Sequence, residues 1–183
     1  MIRKFVHIAF TTFTGVLLFA STSSAQTFDV SGGWAVRNEA GLEDTRLTIE
    51  KGWFAAAGYN FNDSLGIFGQ LSQHSETVDV GVTDVNVKLF IIGGGPRLSG
   101  NQRAPVTYFV QALFGRASLK TKVSDISIGS DSRFAFQPAV GLDVKAGGTV
   151  GVRFEFAPTY IKPENDEDAW AYHFMVGIVV RGG

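Results

Sequence analysis

Hydrophobic and polar residues alternate with a period of two through most of the chain. At its start, Phe28, Val30 and Trp34 fall on one side of an extended chain, whereas Asp29 and Ser31 fall on the other. Because successive residues of a strand point to opposite faces, this pattern predicts a strand with one apolar face and one polar face. The pattern recurs and predicts eight strands, at 28–36, 53–61, 65–72, 85–91, 106–114, 133–144, 150–160 and 170–181.

One face of the predicted strands carries no Asp, Glu, Lys or Arg. In the fourth strand, Leu89 and Ile91 are assigned to this apolar face and Lys88 to the polar face. A charged side chain that faces lipid costs about 2–4 kcal/mol at the middle of a bilayer. The sequence therefore predicts an all-β fold, an eight-stranded antiparallel up-and-down transmembrane β-barrel whose apolar face contacts lipid.

Long and short connections alternate between the predicted strands. This asymmetry is typical of outer-membrane barrels, in which short turns face the periplasm and long loops face the outside. It places both chain termini on the periplasmic side. The long connections are 38–50, 75–84, 119–132 and 161–169, and the short ones are 62–64, 98–102 and 145–148.

Some positions depart from this simple scheme. Residues 78–82 and 126–128 lie in long connections but keep the alternation, so we hypothesise that strands extend above the membrane there. Pro138 and Pro158 fall inside predicted strands and lack the N–H that a sheet needs, which predicts a local bulge or strand end at each. The alternation changes phase near residues 83–84, which predicts a turn or bulge there.

Aromatic residues cluster at the ends of the predicted strands. Such clusters are typical of the two interfaces between a membrane and water, where amphipathic rings lie at the level of the lipid head groups. The predicted membrane-interface residues are Trp34, Trp53, Tyr160, Trp170 and Tyr172 near the long connections, and Tyr59 and Tyr108 near the short turns.

The polar face is rich in Gly, Ala, Ser and Gln, and it carries few lysines. A lipocalin, whose polar face meets water and whose apolar face lines a ligand cavity, remains an alternative with the same strand number. Small residues with a few charges are better suited to the narrow interior of an eight-stranded barrel, which side chains just fill. The predicted interior polar cluster consists of Arg37, Lys88, Gln111, Gln137, Asp143, Arg153 and Glu155.

The N-terminus has the three parts of a secretory signal peptide. Arg3 and Lys4 form a short basic start, residues 5–20 are mostly apolar, and Ser23 and Ala25 are the small residues before a cleavage site. We therefore expect residues 1–25 to be removed and residues 26–183 to form the barrel domain.

Composition excludes several classes of protein. The chain has no Cys, which excludes a disulfide scaffold and a thiolate zinc site. Its formal net charge of −1 gives no reason to expect a nucleic-acid partner. The mean hydropathy of +0.12 is high, and outside the signal peptide it arises from every second residue rather than from a long apolar run.

This arrangement of strands, loops and aromatic girdles resembles the small eight-stranded outer-membrane barrels of the OmpA/OmpX type. The resemblance implies insertion into the outer membrane of a Gram-negative cell by the barrel assembly machinery, among outer-membrane lipid and lipopolysaccharide, as a monomer. It further implies a structural or surface-interaction role, in adhesion or envelope integrity, carried by four external loops, with at most a narrow pore and no cofactor.

The alternative within such barrels is a lipid A-modifying enzyme, which needs a Ser, a His and an acidic residue within hydrogen-bond reach. His74 and Ser75 are adjacent and therefore point to opposite faces, and His173 is assigned to the interior without a partner. We predict no catalytic residues. The acidic stretch 164–168 lacks the spacing of a calcium loop, so we also predict no metal site.

Overall fold

The computed structural model describes residues 27–39, 50–80, 83–123, 126–162 and 170–182, so the predicted signal peptide lies outside the described residues. All eight predicted strands are present, and most are longer than the alternation alone indicated. They are β1 (Thr27–Glu39), β2 (Glu50–Asn60), β3 (Leu65–Val80), β4 (Thr83–Ser99), β5 (Val106–Val123), β6 (Ile126–Gly147), β7 (Val150–Ile161) and β8 (Trp170–Gly182).

The strands form one closed antiparallel barrel in which each strand pairs with its neighbours in sequence. The first and last strands complete the ring through pairs that run from Phe28 opposite Gly182 to Glu39 opposite Ala171. Closure leaves no strand edge with unpaired backbone groups, which is what a sheet surrounded by lipid requires. The predicted fold class is therefore confirmed. Among the described residues, no helix has the length and apolar character needed to cross a membrane.

The barrel has two distinct ends. We call the loop end the one at which residues 40–49, 81–82, 124–125 and 163–169 join the strands. The turn end is the opposite one, where residues 61–64, 100–105 and 148–149 connect neighbouring strands and where β1 begins and β8 ends.

The apolar face points outward and the polar face points inward. Trp34 is 78% exposed and Ile178 is 59% exposed on the outer wall, whereas the side chains of Arg153 and His173 are fully buried inside. Along β8 the exposed and buried residues alternate without interruption from Trp170 to Val180. A lipocalin requires the opposite arrangement, with apolar residues lining the cavity. The lipocalin alternative is therefore wrong.

The two faces of β4 are the reverse of those predicted. Leu89 and Ile91 are buried in the interior, and Lys88 is exposed on the outer wall, so its assignment to the interior polar cluster is wrong. Residues 89–92 are all apolar, which means that the sequence could assign the faces only from the polar residues that precede them. Pairing decides the orientation instead, because it places Ile91 opposite Ala117 in a small apolar cluster inside the barrel.

Two hairpins continue as paired strands through regions predicted to be long loops. The β3–β4 pairing extends to Val80 opposite Thr83, and the β5–β6 pairing extends to Val123 opposite Ile126 with one register shift after Thr121. The hypothesis of extended strands is therefore confirmed for the described residues. The prediction that residues 75–84 and 119–132 form loops is wrong. Thr83 and Asp84 lie in regular pairing at the start of β4, so the turn or bulge predicted at residues 83–84 is wrong.

The two prolines in the strands share a single gap in the ladder. The β6–β7 pairing joins Phe136 to Tyr160 and Val140 to Phe156, which places Pro138 and Pro158 opposite each other between these pairs. Three residues lie between the two pairs on each strand, so the register is unchanged and the predicted bulges or strand ends are absent at these prolines. Facing each other, the two residues without an N–H interrupt one ladder at one place.

Side-chain hydrogen bonds and one special backbone conformation shape the turns. The Asn62 side-chain oxygen accepts hydrogen bonds from the backbone N–H groups of Ser64 and Leu65, and Asn101 accepts one from Arg103. Gly148 has a φ of 52° in the β6–β7 turn, a conformation that residues with a Cβ adopt only at a cost. A Cβ there would meet no atom within 4 Å, so the cost comes from the backbone alone.

We expect Gly148→Ala to destabilise the barrel by about 1 kcal/mol because alanine is strained at this φ. Gly147→Ala is the matched control, since Gly147 also has open space around it but no positive φ. Urea unfolding of both variants in lipid vesicles measures the difference. Equal destabilisation by the two substitutions would contradict the backbone explanation.

Candidate functional site

The interior near the turn end contains a layer of six charged side chains. Strands β1, β6 and β7 contribute the carboxylates, and strands β4, β7 and β8 contribute the guanidinium groups, so the charges in this layer balance. The six residues are Asp29, Asp143, Glu155, Arg97, Arg153 and Arg181, which we call the ionic layer.

Asp143 is the acidic centre of the ionic layer. Its two carboxylate oxygens accept hydrogen bonds of 2.7 and 2.8 Å from Arg153, and one of them accepts a further bond of 2.5 Å from Arg181. Arg153 also donates to Ser31 at 2.9 Å. Asp29 lies 3.4 Å from Arg181 and 3.7 Å from Arg153. Strands β1, β6, β7 and β8 are thus linked through a single carboxylate and its cationic partners.

Arg97 is held between two aromatic rings. Its guanidinium carbon lies 3.4 Å from the centre of the Phe68 ring and 4.1 Å from that of Phe109. It donates two hydrogen bonds to the side-chain oxygen of Gln111, at 2.8 and 2.5 Å, and lies 3.8 Å from Asp29. Ring faces attract a cation, and this attraction is stronger where water is excluded.

Gln111 connects Arg97 to the third carboxylate. While its oxygen accepts from Arg97, its side-chain nitrogen donates to Glu155 at 2.8 Å and to Gln70 at 3.4 Å. A glutamine can do this because its amide is both an acceptor and a donor. The cationic and anionic sides of the layer are therefore joined by a neutral side chain as well as by ion pairs.

Two glycines make room for the rings that hold Arg97. A Cβ on Gly58 would come within 2.1 Å of the Phe68 ring, and one on Gly141 would come within 2.3 Å of the Phe109 ring. Each glycine is paired directly with its aromatic residue across neighbouring strands. A side chain on either glycine would therefore occupy the space that the ring fills.

Two further layers of side chains, first an apolar one and then a polar one, lie between the ionic layer and the loop end. An apolar cluster of Ala35, Phe54, Ala139, Ala157 and Met175 lies above the ionic layer. Beyond it, His74 and His173 are both fully buried with ring centres 4.8 Å apart, and Arg37 lies opposite His173 in the β1–β8 pairing. The interior is filled by side chains at each of these levels.

Side chains occupy the lumen next to a cavity at the turn end. A cavity of about 250 Å³ opens at the turn end, and its lining includes Asp143, Arg181, Arg103 and Lys145. Arg153 and Arg97, at most 1% exposed, occupy the lumen beside it. Among the described residues, no group of three His, Cys, Asp or Glu side chains is arranged to hold a metal ion.

The structure places most of the predicted interior residues inside the barrel. Gln111, Asp143, Arg153 and Glu155 meet in one network. Gln137 is buried inside, and Arg37 is buried near the histidines rather than in the ionic layer. The prediction missed three members of the layer. The sequence could have placed Asp29 and Arg181 in the interior, since both lie on the polar face of their strands. It offered no such indication for Arg97, which lies beyond the predicted end of its strand.

The predicted aromatic residues all lie on the outer wall. Trp34 and Trp53 are directly opposite each other in the β1–β2 pairing, and the rings of Tyr160 and Trp170 are 5.4 Å apart. The exposed outer-wall positions are Trp34, Trp53, Tyr59, Tyr108, Trp170 and Tyr172, and Tyr160 is partly exposed.

The residues considered for lipid chemistry are not brought together. His74 is buried inside, and the adjacent Ser75 is exposed. The interior contact of His74 is instead with His173, a pair that the sequence gave no reason to connect because 98 intervening residues separate them.

We expect Asp143→Asn to destabilise the folded barrel by about 3–5 kcal/mol, because it removes the carboxylate charge that the buried Arg153 and Arg181 both contact. The control is Asp131→Asn, which breaks an exposed ion pair with Arg133 and should leave the free energy of unfolding nearly unchanged. Unfolding by urea in vesicles provides the measurement. The ionic layer would not stabilise the barrel if the two variants unfolded at the same urea concentration.

Gly58→Ala should destabilise the barrel by about 1–3 kcal/mol, because its Cβ displaces the Phe68 ring from Arg97. Gly69→Ala serves as the control, since Gly69 faces outward and its Cβ would meet its nearest neighbour at 3.9 Å. Both variants can be compared by the temperature at which the barrel unfolds in detergent. A Gly58→Ala protein as stable as the control would show that the ring has room to move.

Comparison with solved structures finds other small barrels. Neisserial surface protein A is similar with a TM-score of 0.69 and 17% identity, covering 84% of this chain and 96% of that protein. Ail, the attachment invasion locus protein of Yersinia pestis, is similar with a TM-score of 0.63 and 19% identity, covering 86% and 99%. OprG of Pseudomonas aeruginosa gives a TM-score of 0.61 at 10% identity, covering 86% and 96%.

A comparison with curated proteins finds no match to the chain. A family model, described as the outer membrane protein beta-barrel domain, matches residues 10–181. The match covers β1 to β7 and β8 as far as Arg181, and the closure and outward apolar face of these strands are described above. The chain therefore belongs to the outer membrane protein beta-barrel domain family.

Proposed function

We propose that this protein acts at the cell surface through the loop end of its barrel, in attachment, and that it conducts no solute through its interior. The observation that carries the proposal is the ionic layer, which fills the lumen with charges that neutralise one another. With the lumen occupied, the parts left to interact with a partner are the strands and connections at the loop end.

The outer wall supports embedding in the outer membrane. Exposed apolar side chains such as Ile178 and Val140 cover the middle of the wall, and the aromatic residues predicted from the sequence lie toward its two ends. We propose that these aromatic residues form the two interface girdles, with Trp34, Trp53, Tyr160, Trp170 and Tyr172 at the outer interface and Tyr59 and Tyr108 at the inner one.

The difference between the two ends supports one orientation of the barrel in the membrane. We propose that residues 1–25 are removed as a signal peptide during export, and that residues 26–183 insert with the turn end in the periplasm. The loop end, which carries the extended hairpins, then faces the outside. Barrels of this kind place short turns inside and longer segments outside.

The two extended hairpins are the surface elements. The β3–β4 hairpin continues for six residue pairs beyond His74 opposite Leu89, which is about 20 Å of strand. The β5–β6 hairpin extends a similar distance beyond Arg116 opposite Phe134. Paired strands form a rigid projecting surface, and function in such scaffolds concentrates in the segments at one end. Two of the similar proteins are described as a surface protein and an attachment protein.

The interior gives no support to transport or catalysis. A solute crossing the barrel would have to break buried ion pairs, and removing one partner of such a pair costs about 3–5 kcal/mol. We therefore propose a non-enzymatic, monomeric surface protein without a cofactor, inserted by the barrel assembly machinery.

Cysteine labelling tests the orientation, since the natural chain contains no Cys. Leu119→Cys lies at the loop end and Asp63→Cys lies in a turn at the other end, and both positions are exposed. A maleimide that cannot cross membranes should label Leu119→Cys on intact cells and Asp63→Cys only after the outer membrane is permeabilised. The reverse result would contradict the orientation, and recovery of the chain without detergent would contradict membrane insertion.

Cells that carry the protein in their outer membrane also provide a test of attachment. In a shortened variant, Asn-Gly turns replace residues 78–85 and 121–129, so that Thr77 is joined to Asn86 and Lys120 to Ser130, which are already cross-strand partners. We expect the full chain to increase binding of cells to a cultured-cell monolayer and the shortened chain to lose this increase. The shortened chain must still migrate faster when unboiled on a denaturing gel. Equal binding by the two would overturn the proposed role.

A further inference from the structure

Two histidines meet inside the barrel on the loop-end side of the apolar cluster. His74 of β3 and His173 of β8 are both fully buried, and their ring centres are 4.8 Å apart with the ring planes tilted by 53°. Strands β3 and β8 are not neighbours in the ring. The two side chains, which we call the histidine pair, therefore meet across the lumen rather than along a pair of hydrogen-bonded strands.

The ring nitrogens of the histidine pair take part in no hydrogen bond within the part of the chain that the structure describes. A neutral imidazole has one donor and one acceptor, so four buried polar atoms are concentrated at one place. In the ionic layer, by contrast, the side chains of Arg153 and Gln111 each make several hydrogen bonds. Buried polar atoms disfavour the folded state unless something binds them. A ligand that binds imidazole nitrogens would therefore stabilise the barrel at this level.

The immediate surroundings of the histidine pair are neutral or cationic. A Cβ on Gly52 would come within 2.8 Å of the Nδ1 atom of His74, so the missing side chain leaves space beside this nitrogen. Arg37 brings a positive charge to the same level of the lumen and is buried. Carboxylates and thiols are absent from the four residues that are directly paired with the histidines, which are Gly52, Leu89, Arg37 and Ala157.

Neutral imidazole is the commonest protein ligand for transition metals. When one ion bonds to a nitrogen of each of two rings at about 2 Å, the ring centres are at most about 6 Å apart, and the histidine pair lies within this limit. A divalent ion such as Zn²⁺ takes three or four protein ligands, and the described residues offer no group of three. Monovalent copper forms stable complexes with two imidazoles. It also adds only one positive charge near Arg37, where a second would be more costly.

We propose that the histidine pair binds one monovalent copper ion, Cu(I), through one nitrogen of each ring. The ion links β3 to β8 across the lumen, at the level where the β3–β4 hairpin begins to extend beyond His74. The apolar cluster separates the histidine pair from the ionic layer, so the ion enters from the loop end. Its role is structural, and the site holds whichever way the barrel is oriented in the membrane.

The chain is well suited to a metal-binding test because it has few other ligands of this kind. Its third histidine, His7, lies in the predicted signal peptide, and it has no cysteine. The test uses the protein purified from outer membranes in neutral detergent without a histidine tag. The probes are silver nitrate in chloride-free buffer, Cu(I) kept reduced with ascorbate under nitrogen, and Zn²⁺. Silver has the charge and the ligand preference of Cu(I) and is stable in air.

The variants are H74Q and H173Q, in which a neutral side chain of similar size replaces one imidazole. The control is S72A, which changes another buried, inward-facing residue of β3. We expect the natural chain and S72A to bind one Ag⁺ per barrel in calorimetry. Each glutamine variant should bind at least about a hundredfold more weakly, because even the loss of a residue that only orients a metal ligand costs about 10- to 100-fold in affinity.

The same ion should raise the unfolding temperature of the barrel. Because Ag⁺ binds the folded state, the natural chain and S72A should unfold at a higher temperature in its presence, whereas H74Q and H173Q should show no shift. Cu(I) should act like Ag⁺, and Zn²⁺ should bind more weakly than either. Migration of unboiled samples on a denaturing gel establishes that each variant has folded.

Nuclear magnetic resonance provides a measurement that needs no variant. In the natural chain labelled with ¹⁵N-histidine, Ag⁺ should move one ring-nitrogen resonance of both His74 and His173 to a metal-bound position. If neither resonance moves, or if the glutamine variants bind Ag⁺ as tightly as the natural chain, the site does not exist. Tighter binding of Zn²⁺ than of Ag⁺ would overturn the assignment to a monovalent ion. None of these results depends on the proposed role in attachment, which the shortened hairpins test separately.

Discussion

The barrel depends on mutual neutralisation of charges that it buries. Arg153 and Arg97 lie in a narrow lumen with almost no exposure to solvent, and an unpaired charge there would strongly disfavour folding. Asp143 and Asp29 offset this by contacting cations from several strands. The strands of the ring are therefore held together at one level by side chains as well as by backbone hydrogen bonds. The same side chains occupy the lumen at that level, so one set of contacts both stabilises the barrel and fills its interior there.

Packing around this layer explains features of the sequence that look unrelated along the chain. Gly58 and Gly141 leave space for Phe68 and Phe109, whose rings cover Arg97. The small residues of the polar face are thus part of the same arrangement as the charges. Because the lumen is narrow, each of these two rings lies opposite a residue without a side chain.

Much of the fold followed from alternation, because the period of two is a local property of an extended chain. It identified eight strands and the outward face of seven. It failed in β4, where residues 89–92 are apolar on both faces and carry no phase. It also underestimated the length of the β3–β4 and β5–β6 hairpins. Where these strands extend beyond the apolar wall, their residues are mostly polar, and a polar stretch has the composition of a loop.

By itself, the sequence determined which face of most strands is apolar and which residues are candidates for the interior, since both depend only on neighbours along the chain. The tertiary structure alone decided which candidates meet. Arg153 contacts Ser31 across a sequence separation of 122 residues, and His74 lies against His173. Strand register and ring closure set the level of each side chain in the lumen, and neither is encoded in the alternation of any one strand. For the same reason, only the pairing of β4 with β5 showed that Lys88 lies outside, beside Lys120.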